Sequence, residues 1–185
     1  MQITPTLSNP HLMIMKINMY LTLIAIAAIS CSSEDGPQPV QPQPVKTVVY
    51  LIRHAEKADA SANPNLSAVG LQRANNWAVI LQDVTFAAFY STNYNRTLQT
   101  IQPTATSNGK DVTIYDPANF SLAGVIADYR GKNVFIVGHS NTIPQLINAY
   151  LGAAIYPDMA ETEFGNLYKI SIIDGVVSHE MTVHN

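Results

Sequence analysis

From Val48 onward, apolar residues fall into two alternating patterns. Val48-Val49-Tyr50-Leu51-Ile52 is an unbroken apolar and β-branched run, and Phe86-Ala87-Ala88-Phe89-Tyr90 and Val134-Phe135-Ile136-Val137 repeat the pattern. A strand with one wet face alternates apolar and polar residues, so continuous runs predict strands covered on both sides. Val112 to Tyr115 predicts a shorter one. Between them the spacing changes to three and four. Leu71, Ala74, Ala78 and Leu81 predict a helix capped by Ser67. Leu98, Ile101 and Ala105 mark a second, with Pro103 expected to kink it. Leu122 to Tyr129 predicts a short third. Ile143, Leu146, Ile147, Tyr150 and Leu151 form a fourth stripe, with Pro144 tolerated in the first turn. The tail differs: Leu167 to Ile173, then Asp174-Gly175, then Val176 to Val183 reads as a β-hairpin, since Asp-Gly between strand-like runs favours a tight turn. Strands alternating with helices predict an α/β fold, a three-layer α/β/α sandwich with a mostly parallel sheet and this C-terminal hairpin.

Composition changes the picture at the N-terminus. Hydrophobic content is 47% against 12% charged residues, and much of the excess lies between Ile14 and Ile29. Lys16 opens that stretch and Ser30-Cys31 closes it, the layout of a signal peptide and too short for a transmembrane helix. Met15-Lys16 is a better start than Met1. The chain has one cysteine and so no internal disulfide to make. Ala28-Ile29-Ser30-Cys31 resembles a bacterial lipobox, with alanine where leucine is commoner, and Ser32-Ser33-Glu34-Asp35 resembles the stretch that follows the lipid-bearing cysteine in surface lipoproteins of Bacteroidetes. Gly36-Pro37-Gln38-Pro39-Val40-Gln41-Pro42-Gln43-Pro44 favours extended polyproline II. The expected organisation is a leader and signal peptide over residues 1–30, a lipid-anchored tether over 31–45 and one folded domain over 46–185. The resemblance implies attachment to a bacterial membrane through Cys31, in the cell envelope, periplasmic or surface-exposed. Net charge is −3 without a basic run, which argues against nucleic acid as a partner.

In parallel α/β sheets ligands bind at the carboxyl ends of the strands. Arg53-His54 follows the first strand there, Ser91 and then Arg96 the second, Asp116 the third, and Gly138-His139-Ser140 the fourth. Each residue alone has an ordinary structural explanation; together they bring two arginines and two histidines to one edge. Arginine forks match phosphoryl oxygens, and a helix beginning after His139 would add N–H groups and a positive dipole end. Neighbouring cations disfavour the imidazolium and keep a histidine neutral, as a nucleophile must be. Attack by histidine divides phosphoryl transfer into two easier steps through a phosphohistidine.

Leu51-Ile52-Arg53-His54-Ala55-Glu56-Lys57 resembles the Arg-His signature of the histidine phosphatase superfamily, which includes phosphoglycerate mutases. Leu66-Ser67-x-x-Gly70-x-x-Arg73-Ala74, Tyr90-Ser91-Thr92 with Arg96-Thr97-Leu98-Gln99-Thr100, and Val137-Gly138-His139-Ser140 resemble its later blocks in order, over about Val48 to Leu151. The resemblance implies a phosphoglycerate mutase-like fold, His54 as nucleophile, and Arg53, Arg96 and His139 holding the phosphoryl group, with Ser140 and Asn141 at the rim. It places the general acid after the third strand, at Asp116, although Asp116-Pro117 equally suits a turn former; Glu56 is the weaker alternative, better suited to supporting its loop. About sixteen residues separate Asp116 from Asn133, where mutases carry a long cover. An open site favours water over return transfer, so a phosphohistidine-phosphatase-type hydrolase of phosphorylated small molecules or phosphoproteins is expected. Arginines beside both histidines would repel a metal, so no cofactor is expected. Two other readings compete. Gly138-His139-Ser140-Asn141-Thr142 approximates a serine nucleophile elbow, lacking its last glycine and with only His179 and His184 downstream. A binding module that holds a phosphorylated ligand without turnover would need only the quartet.

Overall fold

The computed structural model describes residues 43–184. The expected leader, Cys31 and most of the tether lie outside them. Among the described residues, no helix is long and apolar enough to cross a membrane.

The chain alternates β1 (Lys46–Arg53), α1 (Ala68–Ile80), β2 (Phe86–Ser91), α2 (Asn95–Ser107), β3 (Val112–Ile114), α3 (Leu122–Asp128), β4 (Asn133–Gly138) and α4 (Thr142–Leu151), then ends in β5 (Asn166–Ile173) and β6 (Val176–Val183). A six-stranded sheet forms in the order β3-β2-β4-β1-β5-β6. The pairs β3-β2, β2-β4 and β4-β1 are parallel, whereas β5 runs antiparallel to β1 and β6 antiparallel to β5. The expected α/β sandwich with a mostly parallel sheet is therefore present.

The unbroken apolar runs are explained by two cores, one on each face. Val49, Leu51, Val134 and Ile136 point to the side holding Leu122, Val125, Ile143 and Ile147 of α3 and α4. Ile52, Phe89, Phe135 and Val137 point to the side holding Trp77 of α1 and Ile101 of α2. Successive strand residues thus serve opposite cores, and each fully buried branched side chain contributes roughly 1.5–3 kcal/mol. The last strand is different, with every residue of β6 exposed. Its turn keeps it paired: Asp174 and Gly175 have φ of 50° and 86°, the left-handed pair of a type I′ hairpin, which glycine permits without strain.

The first helix is rotated from the stripe expected of it. Ser67 caps it as expected, its hydroxyl accepting from the Gly70 amide at 3.0 Å. The buried residues, however, are Gly70, Ala74 and Trp77, while Leu71 is exposed. Gly70 sets this orientation, since a Cβ there would strike the Glu56 carbonyl oxygen. The helix packs its backbone directly on the loop that follows β1.

Registry then aligns the strand ends. Arg53 pairs with Gly138, Ser91 with Val137, and Ser91 with Ile114. All four parallel strands end at one level, and the residues after them share one edge. Because β5 is antiparallel to β1, with Ile52 opposite Leu167, the segment entering β5 arrives at that edge too.

Candidate active site

Arg53 is the last residue of β1 and is only 2% exposed. Buried guanidinium needs acceptors, and they come from the segment before β5. Nη1 donates to the Ala160 carbonyl at 2.7 Å and the Glu163 carbonyl at 3.3 Å, Nη2 donates to Glu161 Oε2 at 3.2 Å, and the plane lies over the Phe164 ring at 4.3 Å. Its Nε is buried without a partner.

His54 continues the ladder, its amide donating to the Gly138 carbonyl at 2.9 Å. Ring atom Nδ1 lies 2.7 Å from the Ala55 carbonyl oxygen. A carbonyl only accepts, so in the neutral ring Nδ1 carries the hydrogen and Nε2 keeps the lone pair. The loop is held from below: the Ala55 amide donates to Thr100 Oγ1 at 2.9 Å, and that hydroxyl donates to the Arg96 carbonyl at 2.6 Å. Arg73 grips Glu56 through Nε (2.9 and 3.0 Å to its two oxygens) and Nη2 (2.8 Å).

Arg96 stands in the first turn of α2 with its guanidinium over the Tyr94 ring at 4.3 Å; Nη1 reaches the Ala62 carbonyl at 3.4 Å and Nε is buried without a partner. His139 follows β4. Its Nε2 lies 2.9 Å from Thr92 Oγ1, which donates onward to Thr97 Oγ1 at 3.1 Å, while Thr97 donates to the Thr92 and Tyr94 carbonyls at 2.8 and 2.9 Å. With every hydroxyl hydrogen so placed, His139 Nε2 is the donor to Thr92. The two imidazoles meet edge to face with centroids 5.5 Å apart.

The four side chains share one electrostatic environment. Burial drives the His54 pKa down to about 3; the Ala55 hydrogen bond opposes this, and Arg53, His139 and Arg96 add to it. His139 falls to about 4, through burial first and then Arg96 and Arg53. Burial also lowers Arg96, with Tyr94 opposing and Arg53 reinforcing. Both rings are therefore neutral near pH 7, beside two guanidinium groups whose buried Nε atoms have no hydrogen-bond partner among the described residues.

The other candidates are placed differently. Asp116 is exposed and starts a single turn of 3₁₀ helix, Pro117–Asn119: Oδ1 accepts from the Ala118 amide at 3.0 Å and Oδ2 from Asn119 Nδ2 at 2.8 Å. Among the described residues no hydrogen bond joins it to the quartet. Glu56 supports its loop through Arg73. Ser140 accepts the Met159 amide at 2.9 Å on its carbonyl, and Asn141 precedes α4 without a side-chain cap bond. The helix starts at Thr142, later than expected, because Thr142 Oγ1 takes the His139 amide at 3.0 Å. Among the described bonds neither downstream histidine reaches Ser140: His179 pairs with Tyr156 Oη at 2.8 Å and His184 with Thr182 Oγ1 at 3.0 Å.

Sequence reading missed the threonine chain from His139 and the whole Met159–Phe164 segment. One signal was available for the latter. A hairpin strand running antiparallel beside β1 must begin where β1 ends, so acidic Glu161 and Glu163 just upstream were bound to arrive near Arg53.

Residues 49–117 match the family model of the histidine phosphatase superfamily, branch 1. That match includes Arg53, His54 and Arg96 and stops short of His139. The fold is similar to that of a phosphoserine phosphatase from Entamoeba histolytica solved with phosphoserine (TM-score 0.59, 17% identity, covering 72% of this chain and 94% of that one). It is similar to the protein histidine phosphatase SixA complexed with tungstate (TM-score 0.60, 14% identity, 74% and 96%) and to phosphoglycerate mutase from Bacillus anthracis (TM-score 0.59, 16% identity, 75% and 93%). At such identities the likeness is one of fold, which is phosphoglycerate mutase-like. No curated protein matches the sequence.

Proposed function

We propose that the chain is a member of the histidine phosphatase superfamily, whose model matches residues 49–117, and a phosphoric monoester hydrolase working through a phosphohistidine on His54. The observation that carries this reading is the His54 ring itself, neutral, with Nδ1 tied to the Ala55 carbonyl, which leaves the Nε2 lone pair for attack, and with Arg53 and Arg96 both acting on its charge. Nε2 attacks phosphorus while the phosphoryl oxygens take hydrogen bonds from the two arginines, and His139 packs edge to face against the attacking ring. Such donors act on charge as it develops, where they lower the barrier most. Water then cleaves the N–P bond and restores the imidazole.

Hydrolysis is favoured over transfer back to substrate by the short span after β3. One 3₁₀ turn and the seven-residue α3 occupy the stretch before β4, too little chain to cover an intermediate. The similarity to a mutase does not arbitrate, since the same fold serves both chemistries. The substrate is a phosphorylated small molecule or a phosphoprotein. We further infer that residues 46–185 are the catalytic domain, held in the cell envelope of a bacterium by a lipid on Cys31. Membrane retention that persists in Cys31→Ser would remove the anchor from this reading.

The test is turnover of p-nitrophenyl phosphate with trapping of an acid-labile, base-stable phosphoenzyme. We expect His54→Ala to form no phosphoenzyme and to lose on the order of 10³-fold or more in kcat/KM. Full activity in that variant would overturn the mechanism. Tight phosphate binding without turnover by the native protein would favour the binding-module reading instead.

A further inference from the structure

A phosphomonoester with an alkoxide leaving group needs a proton at the leaving oxygen, and the quartet supplies no acid near neutral pH. Several carboxylates lie near this edge. Asp116 has both oxygens occupied by its own turn, and Glu56 is clamped by Arg73. Glu163 accepts the Ala160 amide at 2.7 Å. Glu161 is the one whose carboxylate, among the described residues, bonds a member of the quartet: Oε2 accepts from Arg53 Nη2 at 3.2 Å, with its side chain 79% exposed.

Its placement is not that of a free loop residue. Met159 is bonded to the Ser140 carbonyl after β4, and Arg53 holds the carbonyls of Ala160 and Glu163 on either side of it. Glu161 is thus fixed by its neighbours to two strand ends of the pocket. In a guanidinium the Nε hydrogen and one Nη2 hydrogen project along the same edge, which is the fork that takes an oxyanion. Nε of Arg53 is buried and has no hydrogen-bond partner among the described residues. A phosphoryl group on that edge sits beside the carboxylate already on Nη2.

We propose that Glu161 is the proton donor to the leaving oxygen, an inference that rests on the phosphatase reading. A phosphoryl group taken up by Arg53 brings its leaving oxygen to the guanidinium that already carries the Glu161 carboxylate. The Nε2 lone pair of His54 forms the N–P bond as the P–O bond breaks. The released electron pair goes to the leaving oxygen, which takes the Glu161 proton and departs as an alcohol. The Glu161 carboxylate next accepts a proton from the water whose oxygen attacks phosphorus. The N–P bond breaks, its electron pair returns to His54, and inorganic phosphate leaves.

The test compares two esters in Glu161→Gln, a variant that keeps the shape and an oxygen acceptor for Arg53. Ethyl phosphate needs a protonated leaving group, whereas 2,4-dinitrophenyl phosphate departs without one. The expected loss in kcat/KM is about 10²–10⁴-fold on the alkyl ester, the usual contribution of a general acid, and under about threefold on the aryl ester. An equal loss on both would make Glu161 a positioning residue for Arg53 and overturn the proposal, as would no loss on either. Should the native protein hydrolyse neither ester, the phosphatase reading fails and this inference with it. A thermal melt with the native midpoint shows that Glu161→Gln is folded.

Discussion

The turn after β3 and the strap before β5 each bring a carboxylate to the carboxyl edge of the sheet, and they hold it in opposite ways. At Tyr115–Phe120 the chain folds back at once, and Asp116 caps the new turn with both of its oxygens. At Met159–Phe164 the chain makes few bonds to itself. Its carbonyls and the Phe164 ring close around Arg53 instead, and Glu161 is left with one oxygen on the guanidinium. A carboxylate beside a strand end is therefore not yet a catalytic one. What decides is whether its oxygens are already occupied, and a residue before a proline-led turn is the kind most prone to be.

The contrast also supposes a dry cationic pocket at the strap and a wet surface at the turn, and acid tests this with the larger expected effect. His54 and His139 have folded pKa values near 3 and 4 against an unfolded value near 6.5. The unfolded chain binds the extra protons, so this contribution to stability is fully present above about pH 6.5 and is lost as pH falls toward 4. By pH 4.5 the two rings together are expected to cost on the order of 3 kcal/mol, discounted for solvent reaching His139. Carboxylate pairs such as Glu56–Arg73 lose stability in the same direction at lower pH. Thermal melts of His54→Gln isolate the histidine part: the fall between pH 6.5 and 4.5 flattens, and a slope equal to that of the native protein would mean that His54 is not held neutral by the fold.

The turn offers the smaller effect. Asp116→Ala removes a cap and is expected to lower stability by roughly 0.5–2 kcal/mol, read as a drop of a few degrees in Tm. The ratio of alkyl to dinitrophenyl phosphate turnover should stay at the native value. A selective collapse of alkyl ester turnover in Asp116→Ala would reverse the comparison, making the turn the acid and the strap a scaffold.

Much of this arrangement is legible in the sequence, because it is settled within a few residues. Buried strands show as unbroken apolar runs, since each residue answers to one core or the other. Asp174-Gly175 announces its hairpin because few other pairs adopt two positive φ angles. Arg53-His54, Arg96 and His139 could be placed together because a parallel sheet sends whatever follows its strands to one edge. The orientation of α1 was not legible in its spacing. A stripe drawn from large apolar residues includes Leu71, but the helix is turned by the missing side chain of Gly70 against the Glu56 backbone.

The sequence by itself thus determined the element order, the hairpin and the gathering of the quartet at one edge of the sheet, all products of local periodicity, turn chemistry and strand polarity. Tertiary structure alone decided which carboxylate bonds a member of that quartet. Glu161 lies 108 residues from Arg53 along the chain, and the two meet only because β5 pairs antiparallel with β1. Hydrogen bonds formed within three residues, as at Asp116, close as the turn forms; a bond across the whole fold exists only once the sheet has registered.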